Sequence, residues 1–348
     1  MTSGKLRTDD LVAALKAAAE PTRLRILCLL AAGELNVKDL TQILGQSQPR
    51  ISRHLKLLAE ATLIERFREG SWVYFHLSDR TDGGRLALGL VGEADPKDPV
   101  LRRDRERADT LKREREGAAQ AYFRQHAADW DRLRALHVDE SVVETAMREW
   151  LGEGPFRLLV DLGTGTGRTL ELFAGRYERG LGIDVNQAML ALARGNLARA
   201  GRGHAQVRHG DLYNLSLSDG VADAVVMHQV LHYLAEPGTA IAEAARVMAP
   251  GGRLLIVDFA PHGLEFLRDH HAHERLGFAD AQVGKWCDDA GLTVTRTGEL
   301  APAGASADRL TVSMWLAERR RSGPSDFRHR SDIAPRAAGS LDRLEETG

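Results

Sequence analysis

Val160-Asp161-Leu162-Gly163-Thr164-Gly165-Thr166-Gly167-Arg168, followed a short helix later by Leu181-Gly182-Ile183-Asp184-Val185-Asn186, decides how most of the chain is read. Phe156 to Val160 is a short apolar run of the kind a buried parallel strand shows. The glycines after it carry no Cβ where the backbone must turn sharply, so a ligand can approach the main chain closely. Asp184 closes a second apolar run, near the place where an acidic side chain accepts ribose hydroxyls in a doubly wound sheet. A nucleoside held between two strand ends is the expectation.

The spacing selects among nucleosides. A dinucleotide fingerprint needs G-x-G-x-x-G, but Arg168 stands where its third glycine would fall, and the glycines are Gly163, Gly165 and Gly167. Asp161, at the mouth of the first strand, would repel a pyrophosphate and suits a ligand carrying an ammonium and a sulfonium, as S-adenosylmethionine does. The stretch resembles motif I of the class I S-adenosylmethionine-dependent methyltransferases, in their ubiquinone/menaquinone-biosynthesis-like branch, and the resemblance runs from about Tyr122 to Glu318. Further pieces follow in that family's order: Gly210-Asp211-Leu212 after a third strand, Ala222 to Val230 as a fourth, and Gly251 to Asp258 as a fifth. Residues 292–299 and 310–316 supply two last strands, the seventh antiparallel. The resemblance implies a Rossmann-like, seven-stranded α/β domain. It also implies a cofactor site of Asp161, Gly163, Gly165, Gly167, Asp184, Val185, Met189, Asp211, Leu212 and His228. There Asp211 would accept from the adenine amino group, the Leu212 backbone would pair with a ring nitrogen, and Met189 would pack on the adenine.

Methyl transfer from a sulfonium disperses charge, so the protein mainly aligns donor and acceptor and excludes water. No catalytic residue is assigned. Tyr122, Phe123 and Trp130, ahead of the first strand, either cover the pocket and face the sulfonium or pack a core. His228, His232, His262, His270, His271 and His273 gather after strands four and five. They read as ordinary polar or core residues, as an acceptor-side base, or as ligands of a metal, and no metal site is assigned. Arsenite as acceptor is disfavoured, because that chemistry uses several thiolates and the chain has only Cys28 and Cys287.

The other informative stretch is Asn36 to Leu58. Asn36 is placed as an N-cap with Asp39 three residues on, an apolar helix runs through Leu44, Gly45 stops it, and Ser47 opens a second helix. In that second helix Ile51, Leu55 and Leu58 share one stripe, while Pro49, Ser52, Arg53 and Lys56 point away. Glu65 to Arg68 and Trp72 to Leu77 alternate around Glu69-Gly70-Ser71, as a hairpin or wing does. The segment S-Q-P-R-I-S-R-H-L-K-L-L-A-E-A-T-L-I resembles the recognition helix of the ArsR/SmtB winged-helix repressors, with a match over about Asp9 to Leu77. Gln48, Ser52 and Arg53 would face base edges of a double-stranded operator, and Arg50 and Lys56 its phosphates, with Arg66 and Arg68 of the wing acting likewise. Metal-sensing members carry E-L-C-V-C-D-L, where this chain has Glu34-Leu35-Asn36-Val37-Lys38-Asp39-Leu40, so no soft metal is held there and any signal must enter elsewhere. Repressors of this kind read two half-sites as dimers, which implies a homodimer.

Length and composition bound the rest. The chain has 348 residues, 43% hydrophobic and 28% charged, with a formal net charge of −2, which fits two soluble domains with no global basicity. The domains are expected at 1–94 (winged helix), 95–120 (linker and charged helix) and 121–318 (methyltransferase), with a disordered tail over 319–348. Asp95-Pro96-Lys97-Asp98-Pro99 marks the linker, and Val100 to Gln120 reads as a solvated helix in which Leu101, Ala108 and Leu111 form a weak a/d series. The N-terminus lacks an apolar leader and no run is long enough to span a bilayer, so a cytoplasmic protein with no membrane partner is expected. Two functions remain open: a regulator that also methylates a small molecule, and a non-catalytic repressor for which S-adenosylmethionine or its demethylated product is the effector.

Overall fold

The computed structural model describes residues 5–69, 72–77, 81–127, 140–301 and 310–320. The N-terminal part builds α1 (Thr8–Ala18), α2 (Pro21–Leu30), β1 (Leu35–Asn36), α3 (Val37–Leu44), α4 (Gln48–Glu60), β2 (Glu65–Glu69), β3 (Trp72–His76) and α5 (Asp82–Gly92). A capping box starts α3, as its sequence demands: the Asn36 side chain accepts the Asp39 N–H at 3.1 Å, and the Asp39 carboxylate accepts the Asn36 N–H at 3.3 Å. Gly45 ends α3 in the left-handed region at φ 65°. Ile51, Leu55 and Leu58 of α4 are buried with Leu27, Leu40, Ile43 and Phe75, and β2 and β3 form the wing in a sheet of order β1-β3-β2.

The charged stretch after the linker departs from expectation. It folds as α6 (Pro99–His126), a 28-residue helix that lies along α2 and α3 instead of standing in solvent. Asp104 is 1% exposed and takes the Arg25 guanidinium on both oxygens, at 2.5 and 2.7 Å. Leu111 and Ala108, two members of the weak a/d series, close the N-terminal core of the same chain. An average over charged residues concealed this, because a few apolar and ion-paired positions on one face are enough to dock a long helix.

The C-terminal part continues with α7 (Glu140–Leu151), β4 (Phe156–Leu162), α8 (Arg168–Leu172), β5 (Tyr177–Asp184), α9 (Gln187–Arg199), β6 (Ala205–His209), β7 (Ala222–His228), α10 (Pro237–Val247), β8 (Met248–Phe259), α11 (Phe266–His271), α12 (Asp280–Asp289), β9 (Leu292–Leu300) and β10 (Val312–Arg319). The seven strands are ordered β6-β5-β4-β7-β8-β10-β9, all parallel except β10, which runs antiparallel to both neighbours. Successive strand residues face opposite cores: Leu159 and Val226 join Phe173, Leu190 and Met314 on one side, and Val160 and Met227 join Leu181, Ile241 and Trp315 on the other. The central strands β4, β7 and β8 are therefore largely apolar, with polar residues near the C-terminal ends, where a doubly wound sheet places its ligand, whereas the edge strands β6 and β9 are polar and mostly exposed. No described helix is long and apolar enough to cross a membrane. Trp130 and the tail beyond residue 320 lie outside the described residues.

Candidate cofactor and DNA sites

A cavity of about 280 Å³ opens over the C-terminal ends of β4, β5 and β7. Of the ten residues expected at the cofactor, Gly163, Gly165, Asp184, Val185, Met189, Asp211, Leu212 and His228 line it. Asp161 and Gly167 do not. Asp161 is 1% exposed and lies beneath the loop, its Oδ2 accepting the Thr164 hydroxyl at 2.6 Å. Gly167 opens α8 at φ 85°, against Ala193.

The loop geometry explains the residue choice. Gly163 has φ 74°, and a Cβ built on it would stand 2.3 Å from Val230 Cγ2, so no larger residue fits where strands β4 and β7 meet. Asp184 receives the Gly165 N–H on Oδ2 at 2.9 Å and the Asn186 N–H on Oδ1 at 2.8 Å. Burial pushes its pKa up, and those backbone N–H groups pull it back. Among the described residues Asp184 and Asp211 line the cavity and no lysine or arginine does. The cavity suits a cation and an array of hydroxyls, and its two carboxylates would repel a pyrophosphate.

Several lining residues, Ala119, Gln120 and Gln229 among them, carry no sequence signal. Ala119, Gln120 and Phe123 come from α6, so the helix docked on the N-terminal core also covers the cavity. Asn186 Nδ2 fastens it there, donating to the Gln120 carbonyl at 3.2 Å and to its Oε1 at 2.9 Å. Of the aromatic residues expected as a cover, Phe123 lines the cavity, and Tyr122 sits aside with its hydroxyl 2.8 Å from His271 Nδ1. Gln229, expected inside the fourth strand, ends it instead at φ 51°, and its Nε2 is buried without a hydrogen-bond partner among the described residues. Such backbone strain concentrates at functional sites. Neither a propensity nor a periodicity announces it.

The histidines separate. His232, 1% exposed, gives its Nδ1 hydrogen to Asp258 Oδ1 at 2.7 Å, and the same carboxylate accepts the His232 and Phe259 backbone N–H groups at 3.3 and 2.8 Å. This knot fixes the 3-10 turn Leu231–Tyr233 to the end of β8. The His273 ring lies 4.3 Å from the His232 ring, tilted by 33°, and burial pushes His262 down to about 4. His270 is exposed. Among the described residues no group of His, Cys, Asp or Glu could hold a metal ion. Cys28 is half-buried and Cys287 buried, its thiol pushed up to about 12 by burial, and neither lines the cavity.

On the N-terminal part, Gln48, Arg50, Ser52, Arg53 and Lys56 are all exposed along α4, and Arg66 and Arg68 are exposed on the wing. The other face of the wing is covered: the Arg268 guanidinium lies 4.3 Å from the Trp72 ring and that of Arg275 lies 4.5 Å from the Tyr74 ring.

Residues 20–66 match the family described as bacterial regulatory protein, arsR family, and residues 160–256 match a methyltransferase domain. The transcriptional repressor SdpR of Bacillus subtilis is 38% identical over 82 residues, which are 23% of this chain and 91% of that protein. The arsenical resistance operon repressor of Escherichia coli K12 is 52% identical over 64 residues, covering 18% of this chain and 55% of the repressor. A probable S-adenosylmethionine-dependent methyltransferase of Mycolicibacterium smegmatis is 30% identical over 146 residues, covering 40% and 54%. With several of its curated relatives the chain shares only about half of their length.

Proposed function

Because the chain belongs to the arsR family of bacterial regulatory proteins and carries a methyltransferase domain, we propose that it is a DNA-binding transcriptional regulator whose second domain binds S-adenosylmethionine and methylates a small molecule. The observation that carries the second half is the cavity: two carboxylates and three strand ends converge on it, and among the described residues no lysine or arginine lines it. The residues fit the cofactor. Asp184 would hold the ribose hydroxyls, Asp211 and Leu212 the adenine, and Met189 its face, with Asp161 setting the loop from below. When bound, the cofactor supplies a methyl group on a positively charged sulfur. The chain's own part is to orient and to keep water out: Phe123 and Tyr233 form the apolar cover and pack edge-to-face at 4.7 Å. Arsenite is a poor fit as acceptor, because both thiols lie away from the cavity.

In the first half, Gln48, Ser52 and Arg53 read base edges and Arg50 and Lys56 meet phosphates of an operator in the cytoplasm. A homodimer presents two such helices. Leu11, Val12 and Leu15 of α1 and Leu88 of α5 are 36–42% exposed, and they offer an apolar face for it.

A second reading, in which the cofactor or its demethylated product is an effector without turnover, is favoured by α6, which covers the cavity with one end and braces α2 and α3 with the other. Calorimetry with S-adenosylmethionine and S-adenosylhomocysteine, with and without operator duplex, tests both readings. Binding of either nucleoside is expected, and a difference in its affinity of about 5-fold or more on DNA identifies an effector. If neither nucleoside binds the folded chain, both readings fail.

A further inference from the structure

Three consecutive residues, His273, Glu274 and Arg275, touch both the wall of the cavity and the DNA-binding part. On the cavity side, the His273 ring lies 4.3 Å from His232 and 5.2 Å from Tyr233, and Tyr233 is a lining residue. The Glu274 and Arg275 N–H groups both donate to the His232 carbonyl, at 2.9 and 3.0 Å. The segment is thus clamped to the 3-10 turn that Asp258 pins to β8, and that turn carries Tyr233 into the cavity.

On the other side, Glu274 accepts Arg115 at 2.7 Å, and the same guanidinium pairs with Asp39, the third residue of α3 and half of its capping box. Arg275 is 2% exposed, pairs with Glu34 at 2.9 Å and stacks on Tyr74 of the wing. Arg268, one helix turn and a loop earlier, stacks on Trp72. The partners are the residue before β1, the start of α3 and one face of the wing, and α3 packs on α4, the helix that carries the DNA-facing residues.

A buried ion pair is a poor adhesive, because desolvation offsets most of its attraction, but it is sensitive to geometry, because displacing one partner leaves a charge uncompensated. Plain hydrophobic contact would join two domains more simply. We propose that His273–Arg275 is the relay by which occupancy of the cavity changes the winged helix: a ligand that packs against Tyr233 shifts the 3-10 turn, and Arg275 and the Glu274–Arg115 pair carry the shift to Glu34, Asp39 and the wing. This rests on the reading that the cavity binds the methyl donor or its product. It gives that reading a physical path, and it accounts for arginines where plain packing would have served.

The test is hydrogen exchange of the full chain with and without S-adenosylhomocysteine, read at 35–44 and 72–76, for the wild type and for Arg275→Met, which keeps an apolar stem and removes the charge. Arg275 does not line the cavity, so the variant retains wild-type affinity for the nucleoside by calorimetry. In the wild type, exchange at both segments changes about 5-fold or more on binding. In the variant the response vanishes. Glu34→Gln breaks the pair from its more exposed side and gives the same loss should Arg275→Met fail to fold. A wild type that binds the nucleoside with no change at either segment overturns the relay, as does an undiminished response in both variants. A wild type that binds no nucleoside overturns the underlying reading instead, and calorimetry reports that separately.

Discussion

Replacing Asp184 by Asn separates ligand binding from folding, because the structure makes the two respond differently. Each carboxylate oxygen holds a backbone N–H, from Gly165 at 2.9 Å and from Asn186 at 2.8 Å. An amide keeps only one acceptor oxygen and turns a donor toward the other N–H, losing about 1 kcal/mol. Against that, burial holds the Asp184 pKa above its ordinary value. A carboxyl raised in this way stabilises the fold below the ordinary carboxylate range and loses that contribution as pH rises through the raised value, so at neutral pH removing its charge relieves the ligand-free protein. The two effects oppose, and the variant should unfold within about 1 kcal/mol of wild type. Binding has no such offset. Hydrogen bonds from ribose hydroxyls to a charged acceptor contribute about 1.5–3 kcal/mol. Their loss lowers S-adenosylhomocysteine affinity about 10- to 100-fold at 1.4 kcal/mol per decade. Urea denaturation of the free chain and calorimetry with the nucleoside measure the two quantities. An Asp184→Asn protein that is as stable as wild type and binds the nucleoside equally well refutes the role given to this carboxylate.

Further outcomes follow from other sites. His262 is held down to about 4, so between its ordinary range and that value the unfolded chain takes up a proton that the folded one refuses, and stability falls as pH falls through the window. The loss is at most about 3 kcal/mol, and less because solvent reaches part of the ring, and His262→Phe should flatten the urea midpoint between about pH 7 and pH 4.5. Asp104→Ala leaves Arg25 without its buried partner and should cost about 3 kcal/mol in thermal or urea unfolding. An unchanged midpoint there would mean that the pair does not dock α6. Arg53→Ala should weaken operator binding by about 1–3 kcal/mol, and Lys56→Ala should lower the salt slope by about one, both read by fluorescence anisotropy over a salt series. Leu15→Glu puts a charge in the exposed face of α1 and should convert a dimer to a monomer in light scattering, whereas a wild type that is already monomeric contradicts the proposed homodimer.

The fold was legible wherever a local rule fixed it. Asn36, Asp39 and Gly45 state a helix start and stop in chemistry that needs no partner, and the runs ending at Leu162, Asp184 and His228 are apolar because both faces of a parallel sheet are covered. Gly163 and Asp184 were legible for the same reason: Val230 leaves no room for a Cβ at Gly163, and Asp184 is an acid at the end of an apolar strand run. What sequence did not disclose depends on contacts between residues far apart in the chain. Gln229 takes a left-handed backbone because Val257 and the Asp258–His232 knot hold the turn around it, and no local preference of glutamine reports that. The docking of α6 depends on Arg25 and Asp104, 79 residues apart, in a helix whose average looks solvated.

The same distinction bears on how the two halves communicate. A chain that merely joined two independent domains would leave the charged helix free and the wing face wet. Here α6 contributes Leu111 to one core and Phe123 to the cavity wall, so a single helical rod joins the two. Beside the rod, the 273–275 segment makes a second and shorter connection through buried charge. On the proposed relay, α6 holds the two parts together, and the ionic seam, whose strength depends steeply on geometry, is the part that a ligand biases. If the cavity transmits anything to DNA, variants in the seam should alter the coupling while leaving each domain folded, and variants in the rod should unfold the pair.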